Sequence, residues 1–486
     1  YRELEARFRY YDFPTVTIDR YQVGDEVVPV ALAVREVEPR GIEDPNWQNL
    51  HLRERYVAGL GAVASLAAQS TPEGRPAMLL SDLPRSLVPG GTPESLQLDR
   101  TAVYFGTRRQ TYAILSPSED AFLAPDGSLG VPGVDYPEGI VAGSFLRRLA
   151  LAWRFRSADL LFAAEVSAES RFVFRRQVAE RIAAVAPFLR LPEAPYAVAH
   201  EGRIVWIADA YTVSSSFPLS RHHGFDRIRA NYVRNSVKAV VDAASGSVQL
   251  FVIDDADPIA AGYARAFPGL MLPIDEMPSG LKEHLRYPQR MLELQSEVLY
   301  EYHQETAPVF HGQRDVWARP EQFTEDPSSV PYAAEYAQYT LPGDTASEFL
   351  LTTVFVPSGR QNLTAVLVAR SNPERYGELI LLDVPVEDQI PGPRQVEALI
   401  EQDPTISGQF SLWRQGGSKV WLGHLHLVPV QGALLYMEPI FLAAEEDAIP
   451  ELTRFVVSDG RRVVMTETLS AGVQTLSGLS LLAGAS

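Results

Sequence analysis

The sequence contains no cysteine, which excludes thiol catalysis, cysteine-ligated zinc or iron–sulfur sites and any disulfide framework. Long apolar runs are missing as well. The longest, Val237–Val241 and the 433–444 region broken by Glu438 and Pro439, fall well short of the ~20 residues that cross a bilayer as a helix. Positive charge is in deficit, with 43 Lys and Arg against 61 Asp and Glu and a formal net charge of −18. Such a surface repels nucleic acid and anionic head groups unless a local basic patch overrides it. No Lys/Arg block long enough to do so stands in the sequence, so nucleic acid is not an expected partner. The nearest basic stretch, Arg171–Arg181, reads as the solvated face of a helix. The opening residues, YRELEARFRYYDF, have neither an initiator Met nor the order of a signal peptide, so the sequence is expected to be a piece of something longer.

What is present describes a folded protein. Across 486 residues, 46% hydrophobic and 10% aromatic content is enough for a sizeable core, and the length calls for two or three subdomains. Residues 1–143 read as a β-rich N-terminal part: Thr15–Asp19, Val27–Val37, Met78–Leu80, Val103–Phe105 and Tyr112–Leu115 are short β-type runs between turns such as Pro89-Gly90-Gly91 and Pro125-Asp126-Gly127. One helix is expected over Trp47–Tyr56. Residues 144–325 form a central α+β part. Ser144–Phe155, with Ser144 as N-cap, and Arg171–Leu189, ending at Pro187, carry apolar residues at helical spacing. Ala260–Phe267 and Ser279–His303, interrupted at Pro288, are further helices. Between these pairs of helices the runs Val237–Asp242 and Val248–Ile253, joined by Ala244-Ser245-Gly246-Ser247, predict a hairpin with positive φ at Gly246. Pro320–Pro331 reads as a connection. Residues 326–486 form a C-terminal α+β part with strands Phe349–Val356, Leu363–Ala369 and Leu379–Val384, helices Pro393–Glu401, Thr405–Trp413 and Thr466–Leu482, and a hairpin of Val420–Val430 with Leu434–Leu442. Irregular alternation of hairpins and helices indicates an α+β fold with mixed or antiparallel sheets.

No reaction signature accompanies this organisation. The histidines, among them His222-His223, His284, His303, His311, His424 and His426, include no i, i+4 pair with Glu; His424 and His426 read as the polar face of an edge hairpin. Asp254, Asp255 and Asp257 offer oxygen ligands but lack the glycine and terminal Glu of an EF-hand, so a solvated turn accounts for them. Ser214-Ser215-Ser216 has no nucleophile elbow around it, and Gly139–Gly143 lacks a phosphate-loop lysine. No metal or cofactor is expected. One constellation remains as a candidate ligand site: Asp209, Tyr211, Asn231, Arg234, Asn235 and Lys238. The last four fall at i, i+3, i+4 and i+7, which predicts a short helical or irregular turn entering the strand near Ser236. Arg234 is expected either to clamp Asp209 or to bind a ligand's phosphate or carboxylate in its place.

Several phrases read in order resemble the large bacterial multi-pass membrane proteins of uncharacterised protein family 0182. They are Tyr10-Tyr11-Asp12-Phe13, Asn46-Trp47, Tyr104-Phe105-Gly106, Ile207–Thr212, Asn231–Lys238, Asp257-Pro258-Ile259, Phe267–Leu270, His284–Pro288, Gln402–Ser407 and Leu434–Pro439. The resemblance implies a parent protein anchored in the cell membrane by N-terminal transmembrane helices that this sequence lacks, with this region on the extracytoplasmic side. It implies no activity. A binding or scaffold module of the cell envelope, engaging an envelope ligand or protein partner, is the first expectation. The alternative is an envelope hydrolase or transferase acting on glycan or lipid with carboxylates as acid and base. A carboxylate pair about 5 to 10 Å apart in a deep cleft would favour the enzyme; an exposed apolar patch above a few hundred Å² would favour docking.

Overall fold

The computed structural model describes residues 11–38, 58–71, 75–81, 91–110, 112–115, 139–162, 166–323, 329–430, 433–443 and 450–483. The helix expected over Trp47–Tyr56, the phrase Asn46-Trp47, residue Tyr10 and the turn Pro125-Asp126-Gly127 lie outside these residues. The fold is α+β, built from antiparallel sheets with one short parallel pairing, Val248–Val252 with Leu272–Pro273, among the described strands. Two compact units divide it: residues 1–68 with 77–284, and residues 69–76 with 285–486. The sequence-level divisions at 143 and 325 fall inside these units. Tyr112–Leu115 pairs with Arg171–Phe174, which also pairs with Ile140–Val141, so one sheet joins chain on both sides of residue 143.

The first unit is organised around a five-stranded sheet in the order Tyr196–His200, Arg203–Ser214, Tyr232–Asp242, Val248–Val252, Leu272–Pro273. Strand residues alternate between faces. Ala197, Ala199, Trp206, Ala208, Ala210, Val237, Ala239, Val241 and Leu250 accordingly join one buried core with residues of the N-terminal strands Val16–Val23, Glu26–Val34 and Ala62–Ser70. The hairpin has the expected register, with Val237 opposite Val252 and Val241 opposite Val248. Gly246 takes φ +71°, and Asp242 Oδ1 accepts hydrogen bonds from the Ala244 and Ser245 amides at 3.0 and 2.7 Å, which closes the turn.

The helix Phe145–Phe155 starts at Ser144, whose hydroxyl accepts from the Arg147 amide. The helix expected over Arg171–Leu189 is instead a strand, Arg171–Phe174, followed by a helix, Val178–Val185. Four residues are too few for their spacing to separate the two structures, and the pairing partners lie far away in sequence. No helical turn precedes Ser236 either: Tyr232 already pairs with Ser214, and the strand runs unbroken to Asp242.

In the second unit the strands Trp317–Ala318, Glu335–Tyr339, Glu348–Pro357, Ala365–Arg370 and Leu379–Asp383 make one antiparallel sheet. A second is centred on Ala433–Ala443. The run Val420–Val430 is two strands, Lys419–Leu422 and His426–Val430, which pair with successive stretches of one edge of Ala433–Ala443, the other edge being taken by Glu451–Ser458. The chain breaks at Gly423, whose amide bonds the Pro439 carbonyl at 2.8 Å where a Cβ would meet the Pro439 ring. His424 therefore precedes its strand; its ring packs edge-on against His426, and burial followed by the His426 charge pushes its pKa down to about 3. The expected Pro320–Pro331 connection contains a paired hairpin, Glu321–Phe323 with Ser329–Pro331. Among the described residues no helix is long and apolar enough to cross a membrane, and no group of three or more His, Asp or Glu side chains is placed to hold a metal ion.

Candidate functional site

Five of the six residues singled out from sequence occupy the two longest strands of the central sheet, Asn231 directly precedes the second of them, and the structure distributes the six among separate tasks. Asp209 and Lys238 are direct cross-strand neighbours, and the Lys238 ammonium donates to Asp209 Oδ1 with both side chains buried. Alternation places Arg234, Ser236 and Lys238 on one face and Asn235 on the other. Arg234, opposite Thr212, pairs with Asp254 at 2.6 Å with its side chain 41% exposed. The expected Asp209–Arg234 clamp is thus corrected: Lys238, directly opposite the aspartate in the register, takes it, and Arg234, opposite Thr212, takes Asp254. Asn235 donates to the Ala210 carbonyl at 3.4 Å. Asn231 pins the 215–222 loop, accepting from the Phe217 amide at 3.1 Å and donating to its carbonyl at 2.8 Å. Tyr211, at a β-bulge and fully buried, donates to Glu193 at 2.6 Å.

Asp257 does not end a solvated turn. It is completely buried and accepts from Thr212 Oγ1 and Ser236 Oγ at 2.6 Å each, from the Tyr232 hydroxyl at 2.7 Å, and from the Ile259 and Ala260 amides at 3.0 and 3.3 Å. It caps the helix Pro258–Ala266 and joins it to both central strands. Burial works against its ionisation, but the bonds from Ser236, Thr212 and Tyr232 outweigh this and hold the carboxyl below the usual range.

Two features missed from sequence have free chemistry. The first is an open cleft of about 710 Å³ lined by Arg109, Arg154, Arg156 and Arg175, with Phe155, Phe174 and Glu180. None of the four arginines forms an ion pair with a described carboxylate, although Arg154 and Arg175 lie over the Phe155 and Phe174 rings at 5.9 Å. Arg156 and Arg175 both hold left-handed backbone, φ +53°. These arginines come from three separate segments, so only the fold assembles them; the available signal was the stretch Phe145–Arg156, which contains four arginines and no acid.

The second is a cavity of about 210 Å³ in the second unit, walled by Ile400, Phe410 and Leu422 and lined by Glu397, Glu401 and Glu438. Glu438 is 3% exposed and has no hydrogen bond or ion pair with a described residue. Burial first, then the Glu397 and Glu401 carboxylates, pushes its pKa up to about 8. A lone carboxyl inside the apolar run LLYMEPIFLA was its sequence signal. A carboxyl with a folded-state value above its unfolded 4.5 stabilises fully below that pH, and the contribution is lost as pH rises to about 8. Glu438→Gln should abolish this decline: melts across the interval are expected to show the wild type losing stability while the variant does not, with a gain of up to a few kcal/mol at the alkaline end.

Fold and sites together define an acidic α+β protein of two units, whose central polar residues are engaged by its own chain and whose cleft arginines form no ion pair among the described residues. Its sequence matches an uncharacterised protein family, UPF0182, over residues 1–413. UPF0182 proteins of Pelotomaculum thermopropionicum and Cupriavidus necator are 37% and 38% identical to it over 98% of this chain, and over 51% and 52% of their own lengths. One from Salinibacter ruber is 38% identical over 98% of this chain and 50% of its own. The chain therefore belongs to this family, and spans about half the length of the curated relatives it matches. No solved structure matches it at a significant level.

Proposed function

We propose that this chain is the extracytoplasmic binding or scaffold module of a longer, membrane-anchored protein of the bacterial cell envelope, and that its arginine cleft takes a phosphate- or carboxylate-bearing envelope ligand. The observation that carries the reading is four arginines gathered in one cleft with no ion pair to a described carboxylate, in a chain of net charge −18. Carboxylates outnumber cations across the molecule, so arginines facing one another in a cleft leave electrostatic energy that an anion recovers, through paired N–H···O bonds that guanidinium geometry favours. The relatives are about twice as long as this chain, which leaves room in them for a membrane anchor outside the matched region.

Glycerol 1-phosphate titrated at low salt should bind the purified chain and weaken about tenfold or more in Arg154→Gln/Arg175→Gln. Equal binding by the two proteins, or none by either, overturns the assignment. Location is tested separately, aided by the lack of cysteine in this region. In intact cells making the full-length protein, Ser358→Cys should react with a membrane-impermeant maleimide above the unsubstituted background; reaction only after lysis places the region inside.

An envelope enzyme using carboxylates is the second reading, favoured by Glu438, held protonated near neutrality, sharing a cavity with Glu397 and Glu401. It requires turnover of an envelope glycan or lipid that Glu438→Gln abolishes.

A further inference from the structure

We propose that the Phe145–Phe155 helix and the adjoining arginine cleft seat the first unit on an anionic phospholipid bilayer, the helix's outward apolar side chains entering the lipid interface and the arginines holding headgroup phosphates. This rests on the reading of the cleft as an anion site and names the source of the anion.

The helix carries two apolar faces where folding needs one. Leu151 and Ala152 are buried, and Phe155 packs inward with its ring 4.6 Å from Tyr112 and 5.9 Å from Phe174. On the opposite side, Phe145, Leu146, Leu149 and Trp153 are 60, 74, 43 and 86% exposed. Their spacing of three and four residues sets them in a single stripe. Phe162, at the end of the next helical turn, and Ile140, in the strand before the helix, are exposed as well. Isolated exposed apolar residues are ordinary; a contiguous stripe with tryptophan in it marks an interaction surface.

Charge decides among occupants. Arg147 and Arg154 lie beside the stripe, Arg156 caps the helix, and Arg109 and Arg175 complete the cleft at its end. No acidic residue occurs from Phe145 to Ala158, and among the described residues Glu180 is the one carboxylate lining the cleft. A second copy docking through this face would oppose arginine to arginine across a two-fold axis. An aqueous anion would fill the cleft and leave the stripe in water. A bilayer with anionic head groups satisfies both halves: long arginines reach phosphate while Trp, Leu and Phe enter the acyl boundary, the pattern of helices that lie in the interface plane. The protein's overall negative charge does not prevent this, because beyond a Debye length of ~10 Å the rest of the surface is screened.

The test is co-sedimentation of the 486-residue chain with vesicles of phosphatidylcholine alone or with phosphatidylglycerol. Binding is expected only with phosphatidylglycerol, and is expected to fall with salt. At roughly fivefold per arginine near the surface, Arg154→Gln/Arg156→Gln should lose about thirtyfold, and Leu149→Ala/Trp153→Ala should lose about tenfold or more. Trp153 fluorescence should be quenched by brominated lipid in the wild type and not in Trp153→Phe. Because residue 156 has left-handed backbone that glycine adopts without strain, Arg156→Gly should fold at least as well as wild type and still lose vesicle binding, which separates lost binding from lost structure. Vesicle binding insensitive to Leu149 and Trp153, or no vesicle binding, overturns the inference. If glycerol 1-phosphate binds and vesicles do not, the anion site stands and the bilayer does not; if neither binds, both readings fall.

Discussion

Lys238→Ala is expected to destabilise the first unit by about 3–5 kcal/mol, the cost of leaving one charge of a buried pair without its partner. Lys238 is completely buried, and its ammonium sits on Asp209 across the two longest paired strands. Water cannot replace it, so the variant buries the carboxylate without its cation. The expected result is a large fall in the denaturant midpoint at neutral pH. Removing both charges should behave differently. In Asp209→Leu/Lys238→Met no ion is left to desolvate, and apolar residues of similar volume often match or exceed a buried pair in stability. A double variant as unstable as Lys238→Ala would show that shape at this point of the sheet, rather than charge, is what matters.

Gly246→Val is expected to cost about 3 kcal/mol, as the sum of two independent penalties. At φ +71° a β-branched residue is strained by about 1–2 kcal/mol. A Cβ there would also stand 2.4 Å from the Phe105 ring, which is buried and held from another side by the Arg181 guanidinium 4.4 Å from its centroid. The ring has no open side to retreat into, and overpacking of this kind costs ~1–3 kcal/mol. Gly246→Ala separates the terms: it meets the same ring with less bulk, so the difference between the two melts reports the room around Phe105. Melting temperatures unchanged in both would mean that the turn and the ring do not meet as described.

The hairpin was legible because its two β-branched runs and the intervening Ser-Gly turn all specify one structure, and most helices were legible because a cap or a proline marks an end: Ser144 before Phe145, Pro288 before Gln289. The failures share a cause. Asn231, Arg234, Asn235 and Lys238 match a helical face by spacing, yet every polar side chain in that run finds its partner across the sheet or in a distant loop, and those partners make a polar strand affordable. Arg171–Phe174 is decided by Tyr112–Leu115, about sixty positions away in the chain. Asp257 read as a turn because three aspartates in four residues suggest solvent; the Asp-Pro step, which marks an N-cap with proline at the first helical position, was the better signal. The arginine cleft has no local signature, since each contributing segment alone is an ordinary charged surface.

Asp257 has a dynamic consequence. One carboxylate bonds the hydroxyls of two neighbouring strands and the first free amides of the helix behind them. Fraying of the helix from its N-terminus would orphan Thr212 and Ser236 inside the sheet, and slippage of the strands would uncap the helix. Neither element can open by a small local fluctuation, so their amides should belong to a single exchange unit whose opening free energy approaches that of the whole unit. The polar seam of Thr212, Ser236 and Asp257 is the latch that makes helix and strands one cooperative body.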